Sequence, residues 1–127
     1  SMSDRMTKEL VINALNSAYV RAGRPKDVLL HSDRGSQYCS HKYQILLKKY
    51  GFTCSMSRKG NCWDNALMEA FWGKMKYEWL YEQHFRTRAE ARAAIFEYVE
   101  IFYNRQRLHA SNAYLTPEEY YTAALVA

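Results

Sequence analysis

Val28-Leu29-Leu30-His31-Ser32-Asp33-Arg34-Gly35-Ser36-Gln37-Tyr38 is the stretch on which the fold turns. Its first four residues form a short apolar run of the kind that makes a buried strand. Asp33 then stands at the carboxyl end of that strand, where open α/β sheets place their ligand sites. A plainer use is open to the same residue, because an Asp after a strand also caps the turn that follows it.

Upstream, residues 4–22 have helical spacing, with Leu10, Val11, Ala14, Leu15 and Ala18 on one face and Gly23 and Pro25 as the stop. Downstream, a helix is expected over residues 41–50, with Ser40 as N-cap and Gly51 just past its end. Residues 52–56 suggest a second strand. The loop Ser57-Arg58-Lys59-Gly60-Asn61 leads to Asp64, the expected N-cap of a long helix reaching about residue 82. Met68, Trp72, Met75 and Trp79 line one side of that helix, with Leu67 and Phe71 near another, a breadth that implies packing on more than one side. A further helix over residues 88–104 carries an Ile95, Val99, Phe102 stripe. Thr116-Pro117-Glu118-Glu119 opens a last short helix, with Thr116 as N-cap and Pro117 at the first helical position. The fold class is therefore α/β, helix-rich with two short strands. Two strands make a poor independent sheet, so further strands are expected ahead of this region.

The composition is that of a globular domain, with 48% hydrophobic and 24% charged residues in 127. The formal charge of +5 favours a polyanionic partner only weakly. No apolar run approaches the ~18 residues of a membrane span, and the polar start SMSDRMTKEL is no signal peptide, so a cytoplasmic protein is expected. Ser1 ahead of Met2 reads as a vestige of cloning, and residues 1–3 are set aside as that or as a disordered terminus. Cys39, Cys54 and Cys62 lack the CxxC spacing of zinc sites and read as reduced thiols.

Glu69 lies in the first turns of the long helix in apolar company. Asn65 and Lys76 stand four residues before and seven after it, so all three are expected to project from nearly the same side. A carboxylate near a helix N-terminus also has a purely electrostatic use, complementing the helix dipole. Thirty-five residues lie between Asp33 and Glu69, a spacing that is weak by itself.

The combination HSDRGSQY, SMSRKGNCWDNALMEAFW, YNRQRLH and TPEEY, spread from about residue 5 to about residue 122, resembles the catalytic region of bacterial insertion-sequence transposases of the retroviral-integrase superfamily (DDE type, OrfB-like). The resemblance implies an RNase H-like integrase core over residues 4–124, N-terminally truncated by three strands, and a triad of Asp, Asp and, after a 35-residue gap, Glu. Asp33 and Glu69 would then be the second and third members, catalytic and metal-ligating, for two Mg2+ or Mn2+ ions that drive phosphoryl transfer in DNA integration and transposition. The first Asp has no counterpart: Asp4, Glu9 and Asp27 fall in or beside the first helix and its turn. Weak or absent metal binding and no strand transfer are expected of the isolated polypeptide.

The resemblance also implies DNA as partner, transposon ends and target, in a bacterial cytoplasm at the nucleoid. Lys76 is the leading phosphate contact, since the family carries a basic residue seven positions after the catalytic Glu. Arg58, Lys59, Asn65, Arg105 and Arg107 are further candidates, each with a solvated surface role as the alternative. Arg105 and Arg107 could also staple the last helix through Glu118 or Glu119. Trp63 and Trp72 are expected in the core in preference to stacking on bases, and His31 is expected to make a structural hydrogen bond at the strand end. The competing reading is a non-catalytic remnant that binds DNA or self-associates as a homodimer. A generic RNase H-like nuclease is disfavoured by the full motif set.

Overall fold

In the computed structural model, which describes residues 1–58 and 62–126 and no side chain of Cys62 or Trp63, α1 spans Lys8–Arg21, β1 Leu29–Ser32, α2 His41–Tyr50 and β2 Thr53–Met56. α1 begins at Lys8 rather than residue 4, after Thr7 in extended conformation. Its buried residues are Ile12 and Leu15, with Tyr19 half-buried, while Ala14 and Ala18 are exposed. The larger side chains decide the face, because they remove more apolar area from water. They pack with Tyr43 and Leu47 of α2, joined by Val11, Leu30, Tyr38, Leu46, Tyr50 and Phe52. Tyr19 stacks on Tyr50 at 3.7 Å between centroids, and the Tyr50 hydroxyl donates to Asn16 Oδ1 at 2.7 Å.

β1 and β2 are parallel, in register from Leu29 opposite Thr53 to Ser32 opposite Met56. β1 is not buried on both faces as its apolar run suggested. Leu30 joins the core and Ser32 is 7% exposed, whereas Leu29 is 68% exposed. Side chains alternate across a strand, and the helical core takes only the Leu30 and Ser32 side. α2 ends as expected, with Gly51 left-handed at φ 73°. Ser40 holds the N-cap position but makes no cap bond, its hydroxyl donating instead to the Gln37 carbonyl at 2.7 Å.

The long helix expected from Asp64 to about residue 82 is three pieces. A 3-10 turn, Cys62–Asn65, precedes α3 (Ala66–Met75), and a π-helical turn follows over Lys76–Leu80. Asp64 is no cap, because Arg58 has taken its carboxylate. The chain divides into two compact units, Ser1–Ala70 and Phe71–Ala127, with the boundary inside α3.

The second unit contains α4 (Arg88–Phe96), a π-helical continuation over Glu97–Tyr103, and α5 (Pro117–Val126). Thr87 caps α4, accepting from the Glu90 amide. The stripe expected at Ile95, Val99 and Phe102 is half-buried, and the deepest positions are Ala94 and Tyr98. In the continuation, hydrogen bonds reach five residues back instead of four, so the 3.6-residue spacing behind that expectation does not hold there. Met75 is 2% exposed, with Trp79 half-buried beside Tyr98 and Phe102. Trp72 and Met68, expected inside, are 44% and 46% exposed. Thr116 opens α5 in a reciprocal capping box, its amide donating to Glu119 Oε2 at 2.8 Å and its hydroxyl accepting from the Glu119 amide at 3.3 Å. Among the described residues no helix is long and apolar enough to cross a membrane.

Candidate functional site

The register puts the carboxyl ends of both strands at one edge of the sheet, and Asp33 follows β1 there. Its Oδ1 accepts from the Gly35 amide at 2.7 Å, so the turn-capping use is realised, and the residue is exposed. A Cβ at position 35 would lie 2.8 Å from that Oδ1, so glycine is what allows the turn to close on the carboxylate. Burial and then the charge of Asp33 push the Tyr38 phenol up.

Two groups bind this end of β1 to the end of β2. His31 meets Ser55 Oγ through Nδ1 at 2.9 Å and Ser57 Oγ through Nε2 at 3.2 Å, the structural role expected of it. Arg34 Nε donates to the Ser57 carbonyl at 2.7 Å. Arg58 continues the chain of contacts: its amide and Nε donate to Asp64 Oδ2 at 2.9 and 3.2 Å, and its Nη2 to Oδ1 at 3.1 Å. The Arg58 hydrogen bonds hold the Asp64 carboxyl below the usual carboxylate range. Asp64 and Asn65 close the 3-10 turn that delivers α3, and Glu69 stands in the first turn of that helix. The Asp33 and Glu69 elements thus belong to one unit and are joined through Ser57, Arg58 and Asp64.

Glu69 is exposed, as are its neighbours Leu67 and Met68, so it does not sit on the sheltered face its apolar company suggested. Asn65 is half-buried. Lys76 is exposed at the start of the π-helical turn in the second unit, its carbonyl accepting from the Tyr81 amide and its side chain without a hydrogen-bond or ion-pair partner among the described residues. Lys59 lies outside the described residues. Among the described residues no group of three or more His, Cys, Asp or Glu side chains is placed to hold a metal ion. Asp33 and Glu69 offer the oxygen donors that hard divalent cations prefer. They do not by themselves make a closed site.

The two expected arginines of the second unit have local partners. Arg105 Nε pairs with Glu118 Oε2 at 2.8 Å, the staple onto α5 that was one of its two expected uses. Arg107 does not reach Glu118 or Glu119. Its Nη2 and Nε donate to Glu78 Oε1 and Oε2 at 2.7 and 3.1 Å, and the fully buried Tyr98 hydroxyl donates to the same Oε2 at 2.8 Å. This Glu78–Tyr98–Arg107 cluster had no signal in the motif beyond Arg107 itself. Arg107, and then Tyr98, hold the Glu78 carboxyl down. Beside it, burial lowers the His109 pKa, and the Arg107 and Lys74 charges lower it further. Trp72 lies edge-on to Phe71, 44% exposed.

Two family models, each described as an integrase core domain, match the chain, one over residues 1–62 and the other over residues 50–117. The chain is 50% identical over 117 residues to the insertion element IS600 uncharacterized 31 kDa protein of Shigella sonnei, covering 92% of this chain and 43% of that protein. It is 46% identical over 120 residues to the transposase InsF for insertion sequence IS3A of Escherichia coli (strain K12), covering 94% of this chain and 42% of that one. The chain therefore spans well under half the length of these relatives. Among solved structures it resembles a chain of the simian T-cell lymphotropic virus intasome in complex with PP2A regulatory subunit B56 gamma. The TM-score is 0.67 at 18% identity, over 86% of this chain and 38% of that one, a likeness of fold alone.

Proposed function

Since the chain belongs to the integrase core domain family, we propose that it is the carboxyl-terminal part of the catalytic core of an insertion-sequence transposase, contributing two of three metal-binding carboxylates to DNA cleavage and joining. One observation carries the reading: Asp33 closes the carboxyl edge of the parallel strand pair in the same unit as Glu69, tied to the Glu69 helix through Arg34, Ser57, Arg58 and Asp64. Two Mg2+ or Mn2+ ions, when bound, would activate the attacking oxygen and stabilise the leaving one. Asp33, held in orientation by the Gly35 amide, would help to hold such ions. Glu69 would contribute from the first turn of α3.

Among the described residues no third carboxylate is grouped with these two. Glu9 is engaged with Lys42 at 3.9 Å, and Asp27 lies ahead of β1, at the sheet edge opposite Asp33. Of the expected DNA contacts, Lys76 best fits a phosphate-neutralising role, because Arg58, Arg105 and Arg107 already hold carboxylates. The protein works in the bacterial cytoplasm at the nucleoid, on transposon ends and target DNA.

A second reading, a non-catalytic module that binds DNA or self-associates as a homodimer, draws on the exposure of Leu29 (68%) and Leu67 (90%) in the first unit. Titration of the 127-residue protein with Mn2+, together with sizing in solution, tests both. Weak Mn2+ binding that falls further in Asp33→Asn and in Glu69→Gln is expected, with no strand transfer by the isolated protein. Mn2+ affinity unchanged in both variants refutes the metal role. Robust Mg2+-dependent cleavage abolished by Asp33→Ala refutes the need for a third carboxylate from elsewhere. A monomer at high concentration counts against self-association.

A further inference from the structure

The edge of the sheet opposite Asp33 has a different electrostatic character. The turn between α1 and β1 and the last turn of α2 meet there: the Asp27 amide donates to the Gly51 carbonyl at 3.2 Å and the Thr53 amide to the Val28 carbonyl at 2.9 Å. Arg24 and Lys26 lie in that turn, and Lys48 and Lys49 close α2. All four are exposed, and among the described residues none of the four side chains has a hydrogen-bond or ion-pair partner. At the Asp33 edge, by contrast, Arg34 is bound to the Ser57 carbonyl and Arg58 to Asp64. Lys48 and Lys49 complement the dipole of α2, and Arg24 stands at the end of α1, its amide donating to the Tyr19 carbonyl at 2.8 Å, whereas Lys26 is at no helix end. Asp27 is the single carboxylate in residues 22–28 and 48–53.

We propose that Arg24, Lys26, Lys48 and Lys49 form a second phosphate-binding surface, which holds a nucleic-acid backbone at the edge of the sheet away from the carboxylates. Four residues of strand, at ~3.3 Å each, separate this edge from Asp33. A phosphate held on it is therefore set back roughly 13 Å from the reacting carboxylates. The surface is built for sequence-independent contact: exposed Lys and Arg act on phosphates, and no base-reading geometry is required. Nucleic acid, rather than another polyanion, follows from the proposed function, on which the identity of the partner rests.

Binding of a fluorescently labelled duplex of arbitrary sequence, followed by anisotropy between 50 and 200 mM salt, tests the surface. The quadruple variant Arg24→Asn, Lys26→Gln, Lys48→Gln, Lys49→Gln is compared with the unaltered protein and with Lys76→Gln. Arg24 has φ 60°, a conformation Asn tolerates, so that change removes charge without adding backbone strain. The slope of log affinity against log salt is expected to become shallower by about 2–4 in the quadruple variant, at about 0.9 per phosphate contact. If the quadruple variant does not fold, the pairs Arg24→Asn/Lys26→Gln and Lys48→Gln/Lys49→Gln should each remove about half of that change. An unchanged slope overturns the proposal. So does a protein that ignores the duplex and uses these four residues to bind phosphatidylserine vesicles. A slope lowered by Lys76→Gln and not by the quadruple variant overturns this surface and leaves the proposed function standing. The reverse result supports the surface and counts against the role of Lys76.

Discussion

Replacing Tyr98 by Phe removes one oxygen from a residue with no solvent exposure and leaves the ring packing unchanged. The lost contact is the hydroxyl donated to Glu78 Oε2 at 2.8 Å. A hydrogen bond to a charged group contributes about 1.5–3 kcal/mol. Glu78 keeps two contacts from Arg107, and its side chain is 28% exposed, so water can replace part of what is lost. The lower half of that range applies, about 1.5–2 kcal/mol. For a chain of this size that corresponds to a fall in Tm of roughly 5–8 °C.

The pH dependence of the loss has a definite sign. Glu78 is held below its ordinary value in the folded protein, by Arg107 first. A depressed carboxylate contributes stability above its unfolded pKa and loses it as pH falls through its folded pKa. The gap between Tyr98→Phe and the unaltered protein should therefore stay constant from pH 7 down to about 4.3, the ordinary Glu value, and narrow only below it. Thermal melts followed by near-UV circular dichroism across that range read both quantities. A Tm within about 1 °C of the unaltered protein at pH 7 would refute the reasoning, as would a gap that closes between pH 7 and 6, where no ordinary carboxylate titrates.

Leu47→Ala should cost about 2–5 kcal/mol in denaturant unfolding monitored by tyrosine fluorescence, because the side chain is 1% exposed among Ile12, Leu15 and Tyr43; a loss under about 1 kcal/mol would mean that the site collapses around the cavity. Thr116→Ala removes one half of the capping box and should cost about 1 kcal/mol, with faster amide exchange at Glu119. Unchanged exchange at Glu119 would show that its own carboxylate holds the turn unaided.

The elements that local chemistry bounds were legible. Gly51 past α2, the Thr116-Pro117 start of α5 and the two short strands before and after α2 are each bounded by residues whose backbone preferences leave little choice. What escaped depended on distant partners. Arg58 lies six residues from Asp64, and its claim on that carboxylate replaced the expected helix cap with a 3-10 turn. Arg107 lies 29 residues from Glu78 and Tyr98 lies 20, separations at which no helical or strand periodicity pairs side chains. Leu29 reads as core by composition, but which side of a strand is covered depends on the layers packed on it. Of the candidate site, Asp33 was visible because a strand end and a glycine frame it. The exposure of Glu69 was not, because the apolar residues around it suggested a burial that the first unit does not provide.

The π-helical continuation of α4, Glu97–Tyr103, implies a surplus residue in that stretch of chain. Each residue in an ordinary helix turns the chain by about 100°, so the bulge works as a phase adjustment between Ala94 before it and Arg107 after it. Shortening the stretch by one residue would restore regular hydrogen bonding while swinging everything beyond it by about a quarter-turn. Arg107 would then leave Glu78, whereas Arg105 and Glu118, both beyond the stretch, would turn together. Length, rather than any one side chain, is the property of this stretch least open to change.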